Sequence, residues 1–356
     1  MNISDLPLWP LIRGTTTAVE QRRRGGWLGL ILLCASIGLP MHAAAVDTLK
    51  IAAVSPEGSV WMKHLRAAGK AIDEGTAGRV QLKFYPGGVM GDDKAVLRKI
   101  RTGQLHGATF TSGGLVSVDP NFQLYSLPLA FDSREEADAV RKAFDQRLID
   151  NLRSNGYEGF GIAEIGFANI MSQAPVSSVA EVRQRKVWVP DNDPGATRLL
   201  NSFGIKGTPL SIADVLTGLQ TGLIDTIAAP PVGAIALQWF TQVKHAVDMP
   251  LMYVYGTLAI QGRAFNKLSE ADRAVVRKVL ADAVLQVDTL ARKDDAGARA
   301  ALGNQGIAWI KATPEHTAEW RSLAKTANDR FAADGFVDAK LYADFQAELA
   351  RFRAAQ

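Results

Sequence analysis

The chain of 356 residues is poor in groups that could act on a substrate. Beyond the N-terminal segment its histidines are His64, His106, His245 and His316, and no two stand at i, i+4 with a glutamate between. A helix needs that spacing to aim two imidazoles at one zinc ion, so no metal site is expected. The one cysteine, Cys34, falls in an N-terminal apolar run, which leaves the rest of the chain without a disulfide, a thiol nucleophile or a thiolate ligand. There is no Gly-x-Ser-x-Gly elbow and no phosphate-binding loop. Gly159-Phe160-Gly161 opens like a dinucleotide-binding run, but Glu164 stands where its third glycine belongs. Asp92-Asp93 and Asp294-Asp295 read as solvated helix ends. No catalytic residue and no cofactor is expected.

What remains is binding chemistry. In Arg185-Lys186-Val187-Trp188-Val189-Pro190 the alternation of a strand puts Val187 and Val189 on one face and Trp188 on the other. Pro190 and Asp191-Asn192-Asp193-Pro194 then end the strand, so the largest side chain stands at its mouth. An indole there offers an apolar face, one N–H donor and attraction for a cation over its ring. The competing reading of Trp188 is ordinary core packing.

The elements that position such a residue are legible on both sides of it. Leu49–Val54 reads as a strand, followed by a Ser-Pro-Glu-Gly-Ser loop and a helix over 60–73 with Trp61, Leu65, Ala68 and Ile72 at helical spacing. Val80–Tyr85 alternates as a second strand. Two later segments, from Asp92 and from Ser211, share one pattern: an amphipathic helix closed by Thr-Gly, a short strand, and a loop of small residues. Gly103 and Gly222 supply the left-handed positions that close those helices, and Ser211 with Asp214 forms a capping-box-like start. Strands alternating with helices imply an α/β fold with largely parallel pairing. In such folds ligands bind beyond the carboxyl ends of strands, which puts Thr111-Ser112, Trp188 and Ala228–Pro231 at one kind of location. From Ser269 the chain is helical, with a stripe of Val275, Val276, Val279, Leu280, Val284 and Val287 in a helix long enough to brace two lobes.

Composition narrows the class further. The net charge is only +4, with no basic run interleaved with aromatics, so nucleic acid is excluded as a partner. Arg22-Arg23-Arg24, the apolar stretch Trp27–Leu39 and Ala43-Ala44-Ala45 have the layout of a secretory signal peptide over residues 1–45. A cleaved leader implies export to the periplasm. The apolar stretch is short for a membrane span.

Six segments, taken in order, carry a resemblance. They are VSPEGSVW from Val54, YPGGVMGDD from Tyr85, KIRTGQL from Lys99, SLPLAF at Ser126–Phe131, KVWVP from Lys186 and DVLTGLQTGLIDTIAAPP from Asp214. Together, over about Leu49 to Ala333, the chain resembles the extracytoplasmic solute-binding subunit of tripartite ATP-independent periplasmic (TRAP) transporters, the dicarboxylate-binding family. The resemblance implies a two-lobed periplasmic binding protein fold, a hinge, a small-molecule solute enclosed between the lobes, and delivery to membrane permease subunits driven by an ion gradient. The lobes are expected over residues 46–165 with 255–294, and over 166–254 with 295–356. The same module could instead present its ligand to a membrane kinase; a periplasmic enzyme is the remaining alternative.

The family pattern carries an arginine where Trp188 stands and commonly a second where Ala168 stands, and these grip the ligand carboxylate as two-pronged donors. Its polar Gln-Glu-Asn run is replaced here by Ile227-Ala228-Ala229. Without those donors a buried carboxylate keeps several kcal/mol of uncompensated desolvation. An apolar, aromatic, neutral polar or cationic solute fits better, unless Arg198 moves in as a substitute. The expected ligand-binding set is Trp188, Asn169, Glu57, Trp61, Thr111, Ser112, Trp239, Met252, Tyr253 and Tyr255, the last two sharing one strand face.

Overall fold

The computed structural model describes residues 46–191 and 193–356; the expected leader lies outside them, as do the side chains of residues 294–296, among them Asp294 and Asp295. The strands are β1 Asp47–Ala52, β2 Val80–Tyr85, β3 Gly107–Thr111, β4 Tyr157–Gly159, β5 Ala163–Ser172, β6 Val187–Pro190, β7 Gly207–Leu210, β8 Thr226–Ala229, β9 His245–Val247, β10 Met252–Gln261 and β11 Ala308–Ile310. They form one sheet in the order β2-β1-β3-β10-β5-β8-β6-β7, with β4 on β10, β9 on β5 and β11 on β9.

Parallel pairing holds on the flanks, in β1 with β2 and β3 and in β6 with β7 and β8. The centre departs from the largely parallel sheet expected. β5 and β10, ten residues each, run antiparallel to every strand they meet. The first half of β5 pairs with β10 and its last four residues pair with β8, so it passes from one flank to the other. The register between β5 and β10 shifts at Val254/Tyr255, an irregularity of the kind that bends a strand.

The helices begin where their caps predict. Ser59 Oγ accepts from the Met62 N–H at 3.3 Å and starts Val60–Gly75. In that helix Met62, Leu65, Ala68 and Ile72 are buried, while Trp61, one position earlier, is only partly covered. Both Thr-Gly closures form as the sequence suggests: Thr102 and Thr221 hydrogen-bond back one turn, and Gly103 and Gly222 sit at φ +77° and +69°. Ser211 departs from its expected role. It donates to the Asp214 carboxylate at 2.6 Å and caps no backbone N–H.

Ser269 caps the helix Glu270–Asn304, whose 35 residues span about 52 Å. It buries Val276, Leu280, Val284 and Val287 against β1, β10 and the first helix. Further along it packs on β5 and on the helix Pro231–Ala236. Pro314–Ala333 and Ala339–Ala354 complete the chain, the latter against Arg134–Ser154. Among the described residues no helix is long and apolar enough to cross a membrane.

Candidate functional site

The strand ends open onto one cavity of about 540 Å³. After β1 the chain turns through Gly58, at φ +83°, where a side chain would be strained, and enters the helix that carries Trp61. After β3 come Ser112, Gly113 and Gly114. A Cβ on Gly113 would stand 1.9 Å from Asp193 Oδ2, and one on Gly114 would stand 2.5 Å from Asp93 Oδ2. Only bare backbone lets both carboxylates approach so closely. Met252, Val254 and Gly256 of β10 form part of the floor, and Ala228, Ala229 and Pro230 close the far side.

Trp188 is both packed and on the wall. It is 8% exposed, its Nε1–H donates to the Leu210 carbonyl at 3.0 Å, and its ring meets that of Trp239 edge-on with centroids 5.2 Å apart. The indole N–H is therefore already used, and the ring is what Trp188 presents to the cavity it lines.

Of the ten residues selected from the sequence, Trp61, Thr111, Ser112, Trp188, Trp239 and Met252 lie on the cavity wall. The other four do not. Glu57 is exposed and makes a two-pronged pair with Arg66, which holds its carboxyl below the usual range. Asn169 donates to the carbonyls of Val247 and Met249, at 2.9 and 3.1 Å, and ties β5 to the chain between β9 and β10. Tyr253 and Tyr255 do share a face, but it is the one turned from the cavity. Tyr255 donates to the Phe122 carbonyl, and Tyr253 donates to Glu164 at 3.1 Å and accepts from Arg141 at 3.1 Å. Strand alternation sends neighbours to opposite sides, so Met252 on the wall requires Tyr253 behind it. Arg198 does not line the cavity: it lies over the Phe336 ring, 3.6 Å from Asp334.

The wall has a one-sided charge. No arginine, lysine or histidine lines the cavity among the described residues, whereas Asp93 and Asp193 do; Glu164 also borders it, but its carboxylate is held on the Tyr253 side of the strands. Burial pushes all three carboxyls up, Asp93 to about 7. Glu164 is compensated by Arg134 at 2.8 Å, by Tyr253 and, farther off, by Arg292 at 3.8 Å. Asp193 accepts from the Ala196 N–H and from Gln123 Nε2, at 2.9 and 3.1 Å. Among the described residues the charges that act on Asp93 are those of carboxylates, Asp193, Asp92 and Asp191. Sequence reading had put Asp93 on a solvated helix end. The signal that could have found it is the Gly113-Gly114 pair after β3, which reserves space for a close approach.

Comparison with known proteins shows what the chain is similar to. The model of the bacterial extracellular solute-binding proteins, family 7, matches residues 51–334. A solute-binding protein of Roseobacter denitrificans is 26% identical over 294 residues, 80% of this chain and 87% of that one. A TRAP periplasmic solute-binding protein of Ochrobactrum anthropi, with its C-terminus bound in the ligand-binding pocket, is 25% identical with a TM-score of 0.73, covering 88% of this chain and 98% of that one. The sugar-acid-binding protein of Advenella mimigardefordensis in complex with galactonate superposes at a TM-score of 0.78 with 17% identity, over 86% and 99% of the two chains.

Proposed function

We propose that this chain, which belongs to the bacterial extracellular solute-binding proteins of family 7, encloses a largely apolar or aromatic solute and hands it to the membrane permease subunits of a TRAP transporter. Binding of a small organic solute for such a transporter is the family's work. The ligand class is the finer point, and one observation carries it: a cavity wall holding three indoles, those of Trp61, Trp188 and Trp239, and no basic side chain. A carboxylate entering there would lose its hydration without gaining a cationic partner, at a cost of several kcal/mol. A relative that takes galactonate therefore sets the expectation for the fold and not for this wall.

Capture is read as closure of two bodies about the crossing strands β5 and β10, with the irregularity at Val254/Tyr255 where a bend is easiest. Export to the periplasm rests on the basic, apolar and Ala-x-Ala stretches of residues 22–45. The role is read as binding without covalent change: the sequence carries no zinc-protease, serine-elbow or phosphate-loop motif.

A thermal-shift screen over solute classes tests the reading. A solute at a hundredfold excess over its dissociation constant adds about 2.7 kcal/mol to the folded state, and scattering should show compaction at saturation. Aromatic and apolar solutes are expected to stabilise, and succinate and galactonate to leave the transition unmoved. A strong shift with either acid, or chemical conversion of a bound solute, overturns it.

A further inference from the structure

Two carboxylates on the cavity wall, those of Asp93 and Asp193, have no partner cation among the described residues. Asp92 caps the helix Asp93–Arg101, with Asp93 as its first residue, and Asp193 caps the helix Pro194–Ser202. The two helices bring their N-termini to the same glycine pair, Gly113-Gly114. Helix N-termini ordinarily attract anions, but here Asp92 and Asp193 already occupy both, through the Ala95 and Ala196 N–H groups at 2.6 and 2.9 Å. An anionic solute arriving at this corner would meet Asp93 and Asp193, with Asp92 and Asp191 behind them and Asp214 acting on Asp191. Glu164, whose carboxylate lies on the Tyr253 side, shows how a buried carboxylate is neutralised elsewhere in this protein: Arg134 and Tyr253 engage it directly. Asp93 receives no such partner. It lines the cavity, and its ionisation there is opposed by desolvation and by like charge.

Resting on the reading of this cavity as the solute site, we infer that the solute is an organic cation, an amine or quaternary ammonium compound, whose charge sits against Asp93 and Asp193 and whose apolar part lies among the indoles. A cation there relieves the repulsion between the carboxylates and gains attraction from ring faces in a water-poor cavity. It also explains why the wall can do without arginines. The cavity volume suits an organic ion of drug-like size or smaller.

The test uses sets of solutes that share one skeleton and differ in charge: tryptamine, tryptophol and indole-3-propanoate, with the corresponding phenylethyl and hexyl sets, titrated calorimetrically into the protein. In every set that binds, the ammonium member should bind at least tenfold tighter than the alcohol. Its affinity should fall about tenfold between pH 8 and pH 6, as Asp93 takes up a proton. Asp93→Asn should weaken ammonium binding by about tenfold and flatten that pH dependence, while its melting temperature at pH 8 stays at or above that of the unmodified protein. Equal affinity for ammonium and alcohol, or an Asp93→Asn variant that binds and titrates as before, overturns the inference and leaves the solute-binding reading intact. Tightest binding by the carboxylate overturns the inference and the cation-free wall with it. No binding by any member, of any charge, overturns both.

Discussion

The two sides of β10 have opposite electrostatic designs, although one backbone separates them. On the cavity side stand Met252, Val254 and Gly256, with no basic side chain on the wall among the described residues and with like charge around Asp93. Behind, Tyr253 joins a buried network in which every charge has a partner. Arg141 reaches Asp288 at 2.7 Å, Asp145 at 3.0 Å and the Ile162 carbonyl at 2.8 Å. Asp288 also accepts from the Glu164 N–H at 2.7 Å, and Arg134 and Arg292 complete the set. The network links the helix Arg134–Ser154, β5, β10 and the long helix. Arginines are thus spent on holding elements together, and none is left facing the solute. Removing a charge from behind β10 should be costly, and removing one from the cavity should be cheap or favourable.

The largest expected effect breaks the network. Arg141→Met leaves buried Asp288 with only Arg292 and half-buried Asp145 without its guanidinium, and should cost about 3–5 kcal/mol in urea unfolding. Next is Trp188→Ala. Because Trp188 is packed against Trp239 and holds the Leu210 carbonyl, the loss of stability should be about 3 kcal/mol, at the low end for a tryptophan because one flank is already cavity. Solute affinity should fall as well, and a variant that keeps full stability while losing binding would contradict this double role.

Asp93 gives a smaller effect of the opposite sign. Its folded carboxyl titrates at about 7 against 3.8 for the free side chain, so between those values the folded protein holds a proton the unfolded chain has released. The associated stability is complete below about pH 4 and declines as the pH rises through 7, by a few kcal/mol at most. Unfolding midpoints at pH 5 and pH 8 should show that decline, and Asp93→Asn should remove most of it. The smallest effect is Arg198→Ala. Its exposed contact with Asp334 should be worth less than about 1 kcal/mol, and solute binding should not change. A binding defect there would restore Arg198 as a ligand contact.

Much of the fold was legible because its signals are local. Ser59 and Ser269 announce their helices, Thr102-Gly103 and Thr221-Gly222 close theirs, and the valines of the long helix keep one face. The antiparallel centre was not legible, since direction depends on which distant strand becomes a neighbour. β10 meets β3 and β5 only after long excursions of chain. For the cavity wall, strand-end position pointed to Thr111, Ser112 and Trp188, and the strand returning between the lobes pointed to Met252; all four line it. Alternation should have separated Met252 from Tyr253, yet aromatic character argued for the tyrosines. Nothing in a single sequence shows that Arg141 will claim Tyr253 from 112 positions away. Asp93 looked like surface because its burial comes from Gly113-Gly114 and Asp193, all remote in the chain.

The most direct test of the central claim is a calorimetric comparison of tryptamine with indole-3-propanoate on the unmodified protein at pH 8. Both carry the same ring and differ in the sign of one charge, so the cavity wall alone decides between them. Saturable binding of tryptamine is expected, with little or none of the propanoate. A tighter complex with the propanoate would contradict the claim, and would mean that a cation reaches the cavity from outside its present wall.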